Sequence, residues 1–277
     1  MAGNEFYTRK KNTEHLIQRV SKKVQREKER NKKLIMLNCL VGASLVGLVF
    51  ALAGFLHEKL QSVATEQSYE KVAQEAVLPA THEINFSVVQ SYGANSTSWI
   101  YIPDTMIDYP LVQGPDNDFY IDNDAYGNPN DAGAIFINFA NSADMSDAKT
   151  IIFGHNMASG SMFSDLHKYS DRKWGTEHTD AYIYMESGAV KHYKLRYYIF
   201  TEPMDPDVYV VSKSDDASEE AEKLKNASSL VYGEHLGHEL IVLSTCTMHT
   251  YRTVVVFEFI DNQKPIIGSA AKEMPDN

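Results

Sequence analysis

The chain has 277 residues, 43% of them hydrophobic and 23% charged, with two cysteines and a net charge of −11. That length suits one or two domains with a real core; two cysteines exclude a disulfide framework, and an acidic balance argues against nucleic acid as a partner. The charge is uneven: residues 1–33 hold 11 Lys/Arg against 4 Asp/Glu, so of the totals of 26 and 37 the remainder keeps 15 basic and 33 acidic residues.

Residues 5–33 mix Lys, Arg, Glu and Gln, which predicts a solvated helix or a disordered arm. Leu34 to Leu56 is 23 residues without a charge, and only Asn38 and Ser44 are clearly polar. At about 1.5 Å per residue it reaches roughly 35 Å, enough to cross a hydrocarbon core of about 30 Å. A cleaved signal peptide is the rival reading, and Ala51-Leu52-Ala53 resembles a cleavage site. Both the arm and the apolar run exceed signal-peptide lengths, so an uncleaved anchor is expected. The basic flank places the N-terminus in the cytoplasm and everything after His57 outside. His57 to Leu78 lacks Pro and Gly and reads as a helical stalk ended by Pro79.

From about Ile84 the texture becomes short β-rich runs between turn residues. Strands are predicted at Trp99–Ile102, at Ile107–Val112 (where Pro110 suggests an edge or bulge), at Gly133–Ile137 and at Thr150–Phe153. Further strands are expected at Ala181–Met185, Ala189–Phe200, Leu240–Thr245 and Thr253–Ile260. Gln113 to Asp131 is mostly loop. Short helices are expected at Ser161–Tyr169 and Asp216–Leu230. Many short strands with few helices suggest a closed or nearly closed β-barrel. The expected boundaries are a basic arm over 1–33, an anchor over 34–56, a stalk over 57–83, a folded domain over 84–262 and a tail over 263–277.

Cys39 lies in the apolar stretch, which leaves Cys246 as a lone thiol outside the membrane. It closes the run Leu240–Thr245, and Arg252 opens the next strand. A cysteine and an arginine at neighbouring strand ends suit a nucleophile beside a fixed cation that stabilises an oxyanion. His155 follows a strand in Phe153-Gly154-His155-Asn156, where Gly154 permits a tight turn, and is placed to face a cleft as an acid or base. The bland alternatives are a small buried cysteine, a solvated histidine and a strand-edge arginine. His249, three residues after Cys246, competes as the base. Metal binding is not expected: His235 and His238 lack a cysteine nearby, and the acidic loop Asp116 to Asp131 lacks EF-hand spacing.

Together these segments resemble the sortases, cysteine transpeptidases of Gram-positive surfaces, and class B most closely. Thr150–Met157 with Gly160–Leu166 is similar to the class B histidine region, Leu243-Ser244-Thr245-Cys246 to the nucleophile signature, and Arg252–Val256 to the arginine strand. Ile107–Gly114 and Asn117–Tyr120 are similar to the family's early core, so the likeness covers about residues 85–260. It implies a sortase-type closed β-barrel and a catalytic set of His155, Cys246 and Arg252. It implies that Asn117, Ile121, Tyr209, Val210 and Ser244 bind the substrate, and that the helix at 216–230 is the extra class B helix. The sequence departs from the pattern at Val242, where Thr is usual, in a short Cys246–Arg252 connection, and at Asp205, which replaces a groove hydroxyl.

The resemblance further implies a membrane-anchored enzyme without cofactor or metal. It would cleave a C-terminal sorting signal of secreted proteins and pass the acyl group to a peptidoglycan-precursor amine. Three alternatives stand beside this reading: a pilus-polymerising sortase, a surface cysteine hydrolase and a non-enzymatic membrane-tethered binding module.

Overall fold

The computed structural model describes the backbone of residues 2–94, 96–211, 216–247 and 250–265, and the side chains of 19–56, 67–94, 96–211, 216–245 and 250–265. His249, the residues of the tail from 266 onward and the side chain of Cys246 lie outside the described residues. The chain divides into two units, Met1–Lys59 and Leu60–Asn277, and helix α1 (Ala2–Ala76) runs from the first into the second.

Within the first unit, the basic arm is helical, and Arg19–Leu56 is long and apolar enough to cross a membrane. The large apolar side chains from Leu34 to Leu56 are exposed on every side of the helix. A helix that is apolar all round needs an apolar surrounding.

In the second unit, Tyr69, Val72 and Ala76 form one buried stripe on α1, the three-to-four spacing of a helix face turned to a core. The hairpin of β1 (Val77–Leu78) and β2 (Glu83–Ile84) follows. Then comes α2 (Phe86–Ser91), whose N-cap Asn85 accepts a hydrogen bond from Val88 N.

Next come β3 (Ser96–Tyr101), β4 (Asp108–Gln113), β5 (Ile135–Ile137), β6 (Lys149–Phe153), β7 (Asp180–Met185) and β8 (Val190–Thr201). After β9 (Leu230–Val231), the strands β10 (Leu240–Thr247) and β11 (Tyr251–Asp261) complete the set. Their order is β11-β10-β6-β5-β4-β3-β7-β8, and β11 pairs with β8 to close an eight-stranded barrel, with β9 added beside β8. The β4–β5 and β6–β10 pairs are parallel and the others antiparallel. The expected closed barrel with few helices is therefore what the chain forms.

Pro110 stands opposite Trp99 in the β3–β4 ladder, just before the β4–β5 pairing begins at Leu111. β4 is an interior strand, but the proline occupies its stretch with one neighbour, where a missing N–H costs no ladder bond.

The apolar runs of β10 and β11 bury both faces. Leu243, Val255 and Phe257 belong to the main core with Ile100 and Phe163. Val242, Val254 and Val256 belong to a second cluster with Ile151, Ile199 and two residues of helix α5, Ala221 and Leu224. Helices α3 (Arg172–Glu177), α4 (Pro206–Tyr209) and α5 (Ala217–Ala227) complete the unit, with 3-10 turns at Phe119–Ile121 and Ser164–Ser170. The predicted helix at 161–169 is thus a 3-10 turn. α2, α3 and α4 are too short to show an apolar period in sequence.

Asp116 and Asp124 bond the amides of their own loop. Asp116 accepts from Asp118 N and Phe119 N, and Asp124 from Tyr126 N and Asn128 N.

Candidate active site

The ends of β6, β10 and β11 meet the loop after β4 and the segment between β8 and α4 around a groove of about 610 Å³. His155, Ser244, Thr245 and Arg252 line it, as do Asn117, Ile121 and Tyr209.

Cys246 and Arg252 are direct cross-strand partners in the β10–β11 ladder. Residues so paired in an antiparallel ladder have Cβ atoms about 4.5–5.5 Å apart. The antiparallel pairing of β10 and β11 thus sets the thiol-bearing and guanidinium-bearing positions side by side. Among the described residues no carboxylate forms an ion pair with Arg252, whose Nη1 donates to the carbonyl of Tyr251 at 3.1 Å. A guanidinium that no carboxylate neutralises keeps its donors for a developing negative oxygen.

His155 follows β6 and is half-buried. Its Nε2 donates to the carbonyl of Ile121 at 2.8 Å. Because a carbonyl only accepts, that bond fixes the proton on Nε2 and makes Nδ1 the nitrogen that gains or loses one. The backbone carbonyl of His155 accepts from Phe163 N at 2.9 Å. Two glycines make this seat possible. Gly133 has φ +58°, and a Cβ there would lie 2.5 Å from the carbonyl oxygens of Tyr120 and Ile121 and 3.1 Å from the His155 ring. Gly154 lacks a positive φ, so its role differs from the turn expected in sequence: a Cβ there would strike the Phe163 ring at 2.8 Å.

The groove floor is aromatic. The Phe153 ring lies 5.3 Å from Phe136 and stacks on Tyr209 at 6.3 Å. The Tyr209 hydroxyl lies 2.8 Å from Ser244 Oγ, in hydrogen-bond contact. Asn117 Oδ1 accepts from Phe139 N at 2.9 Å and ties the loop after β4 to the turn after β5. Ile121 is exposed at the rim.

Val210 differs from the other candidates. It caps α4, is exposed, and lies outside the lining residues. Asp205 is the N-cap of α4: it accepts from Asp207 N at 3.1 Å and from the Thr201 hydroxyl, so its carboxylate is engaged in holding that helix. Phe136, Asn138, Phe153, Pro203, Met204 and Thr245 also line the groove and were not singled out in sequence. Side chains of this kind carry no local signal, since only the closure of the barrel turns them toward one cleft.

The sortase family model, described as a sortase domain, matches residues 100–259. The chain belongs to the sortase family. Sortase B of Listeria monocytogenes is 34% identical over 166 residues, covering 57% of this chain and 65% of the relative. The match thus spans less than two thirds of that protein's length. The crystal structure of sortase B from Bacillus anthracis superposes with a TM-score of 0.63 at 23% identity, covering 73% of this chain and 98% of the other. A class B sortase of Streptococcus pyogenes involved in pilus biogenesis gives 0.58 at 24%, covering 64% of this chain and 98% of the other. The resemblance to class B seen in the sequence agrees with these relatives.

Proposed function

We propose that this sortase is a membrane-anchored cysteine transpeptidase acting on a sorting signal near the C-terminus of secreted proteins. The Cys246 thiolate attacks the carbonyl carbon of the scissile peptide bond, and the oxygen takes up the negative charge beside Arg252. As the tetrahedral intermediate collapses, the C–N bond breaks and His155 gives its proton to the departing amine. A thioacyl-enzyme remains. An incoming amine of a cell-wall precursor attacks it, His155 takes the proton, and the thiolate leaves to restore the enzyme. Thiol chemistry and positioning account for every step, and no cofactor is required.

The observation that carries this reading is the pairing of Cys246 with Arg252 at the groove that His155 also lines. Asn117, Ile121, Tyr209 and Ser244 are the residues we assign to peptide binding there, with Val210 at the end of α4 as a marginal contact. The apolar helix supports an anchor, and its basic N-terminal flank supports a cytoplasmic N-terminus with the barrel outside. Held at that surface, the enzyme meets secreted clients and lipid-linked acceptors together.

The test uses the full chain in detergent micelles with a peptide library, with and without triglycine. Cleavage with formation of the triglycine adduct, abolished in Cys246→Ala, is expected. Hydrolysis that ignores triglycine would make the protein a surface hydrolase, and a lysine-bearing acceptor peptide consumed in preference would make it a pilin polymerase. No cleavage and no thioacyl adduct would leave a tethered binding module.

A further inference from the structure

His155 is held by hydrogen bonds to two segments, one before it and one after it in sequence. Before it in sequence runs the loop from Ile121 to Gly133, whose Ile121 carbonyl receives the imidazole Nε2–H at 2.8 Å. After it runs the segment 156–163, in which Asn156 bridges Met162 and Phe163 N donates to the His155 carbonyl. Each segment ends on a tyrosine hydroxyl. Tyr69 OH donates to the Gly133 carbonyl at 3.0 Å and accepts from Ala125 N at 3.0 Å. Tyr109 OH accepts from Met162 N at 3.0 Å. The two rings meet edge to face, with centroids 5.4 Å apart and planes at 89°, the arrangement that aromatic quadrupoles favour. Both rings are buried, Tyr69 at 5% and Tyr109 at 6% exposure.

Tyr109 belongs to the barrel, but Tyr69 sits on α1, the helix that carries the apolar span. A buried hydroxyl that both donates and accepts fixes two backbone groups at once, and each would be left unsatisfied without it. The loop it fixes is a long irregular connection with little secondary structure of its own, the kind that moves unless pinned.

We propose that Tyr69, paired with Tyr109, is a positioning residue for the imidazole of His155, so that the last turns of α1 are a working part of the catalytic unit and not a spacer. This rests on the reading of His155 as the proton carrier. Neither tyrosine touches the reacting atoms; both act by holding the two segments that seat the ring. Tyr69 does not itself line the groove; its hydrogen bonds and ring contacts among the described residues are with Gly133, Ala125, Tyr109 and Tyr126. The loop it holds also carries Ile121 at the groove rim, so the larger effect falls on proton transfer and a smaller one on peptide binding.

The experiment compares wild-type full chain, Tyr69→Phe and Tyr109→Phe in micelles, with histidines labelled by 15N and the His155 signals assigned from His155→Gln. Each hydroxyl deletion is expected to move the His155 ring resonances. Peptide cleavage should lose about tenfold in kcat, with KM changed less than about twofold, as for a displaced catalytic group. Val72→Ala is the control: it loosens the same helix through a different cluster, with Phe86, Val89 and Trp99, and should leave the His155 signals where they are. Unmoved His155 signals in both hydroxyl variants, or an equal movement in Val72→Ala, would overturn the assignment. If His155→Gln cleaves peptide normally, the proton-carrier reading falls separately, while the spectra still judge the tyrosine pair.

Discussion

Gly154 shows how one missing side chain decides where a functional group sits. Its neighbour Phe163 is fully buried, and Gly154 itself lies between Phe153 of the groove floor and His155. A methyl group at 154 meets the Phe163 ring and Ile135 in a core that has no slack. Gly154→Ala is expected to cost about 1–3 kcal/mol in urea unfolding and to lower kcat by pushing the His155 backbone outward. Wild-type stability in this variant would mean the ring yields freely. The Gly-His pair was visible in the sequence as a turn beside a candidate base. That the glycine serves close packing and not a left-handed turn depends on Phe163, nine residues later, and no local pattern reports it.

At the scale of elements, α5 is tied to the barrel by a buried ion pair that also reaches α4. Lys149 of β6 and Glu220 of α5 are 2% and 1% exposed at the side chain, and Nζ lies 2.6 Å from Oε2. Lys223 reaches the other oxygen at 2.9 Å, and Lys149 Nζ also lies 3.4 Å from the carbonyl of Asp207 in α4. Burial pushes the Glu220 carboxyl up, but Lys149 and Lys223 outweigh it and hold the group below its ordinary value. Removing Lys149 leaves the buried Glu220 carboxylate with Lys223 alone, so Lys149→Met is expected to destabilise the protein in chemical unfolding, by at most the roughly 3–5 kcal/mol of a fully unpaired buried charge. Replacing both, as Lys149→Met with Glu220→Leu, should recover most of that loss, because the pair must otherwise repay its own desolvation. A double variant no better than the single one would contradict this account. The sequence predicted α5 over Asp216–Leu230, and it forms over Ala217–Ala227 with Asp216 as its cap, but α4 has only four residues and no period to read.

Across the whole molecule, two histidines set opposite limbs of the pH–stability curve. His192 of β8 joins Asp180 of β7 at 2.6 Å and Asp261 of β11 at 3.1 Å. The hydrogen bond to Asp180 raises its pKa first, burial opposes, and Asp261 adds to the rise. Its stabilising contribution is therefore complete below its ordinary value of about 6.5 and disappears as pH rises through the higher folded value. His235 is the reverse. Burial lowers its pKa against the pull of Glu258, whose Oε1 lies 2.7 Å from its Nδ1. Protonating it below about pH 6.5 is therefore resisted by the fold and costs stability as pH falls. Asp180 and Glu258 themselves sit below their ordinary values, so their contributions are kept above about pH 4 and lost only in stronger acid. Thermal unfolding across pH 5–9 should show a maximum near neutrality, with His192→Gln flattening the alkaline limb and His235→Gln the acid one. Limbs unaffected by these two substitutions would assign the pH dependence elsewhere.

What the sequence determined by itself was everything encoded in local runs: the 23-residue uncharged stretch with its basic flank, most of the strands, the helix beginning about Asp216, and the three motifs holding His155, Cys246 and Arg252. Those signals are local because periodicity, charge and turn chemistry act over a few residues. The tertiary structure alone decided the ladder register that sets Cys246 opposite Arg252, the aromatic floor of Phe136, Phe153 and Tyr209, and the docking of Tyr69 onto the loop beside His155. The last of these joins residues 64 positions apart, Tyr69 and Gly133. Contacts of that range form only when the barrel closes, because closure is what brings distant segments within hydrogen-bond reach.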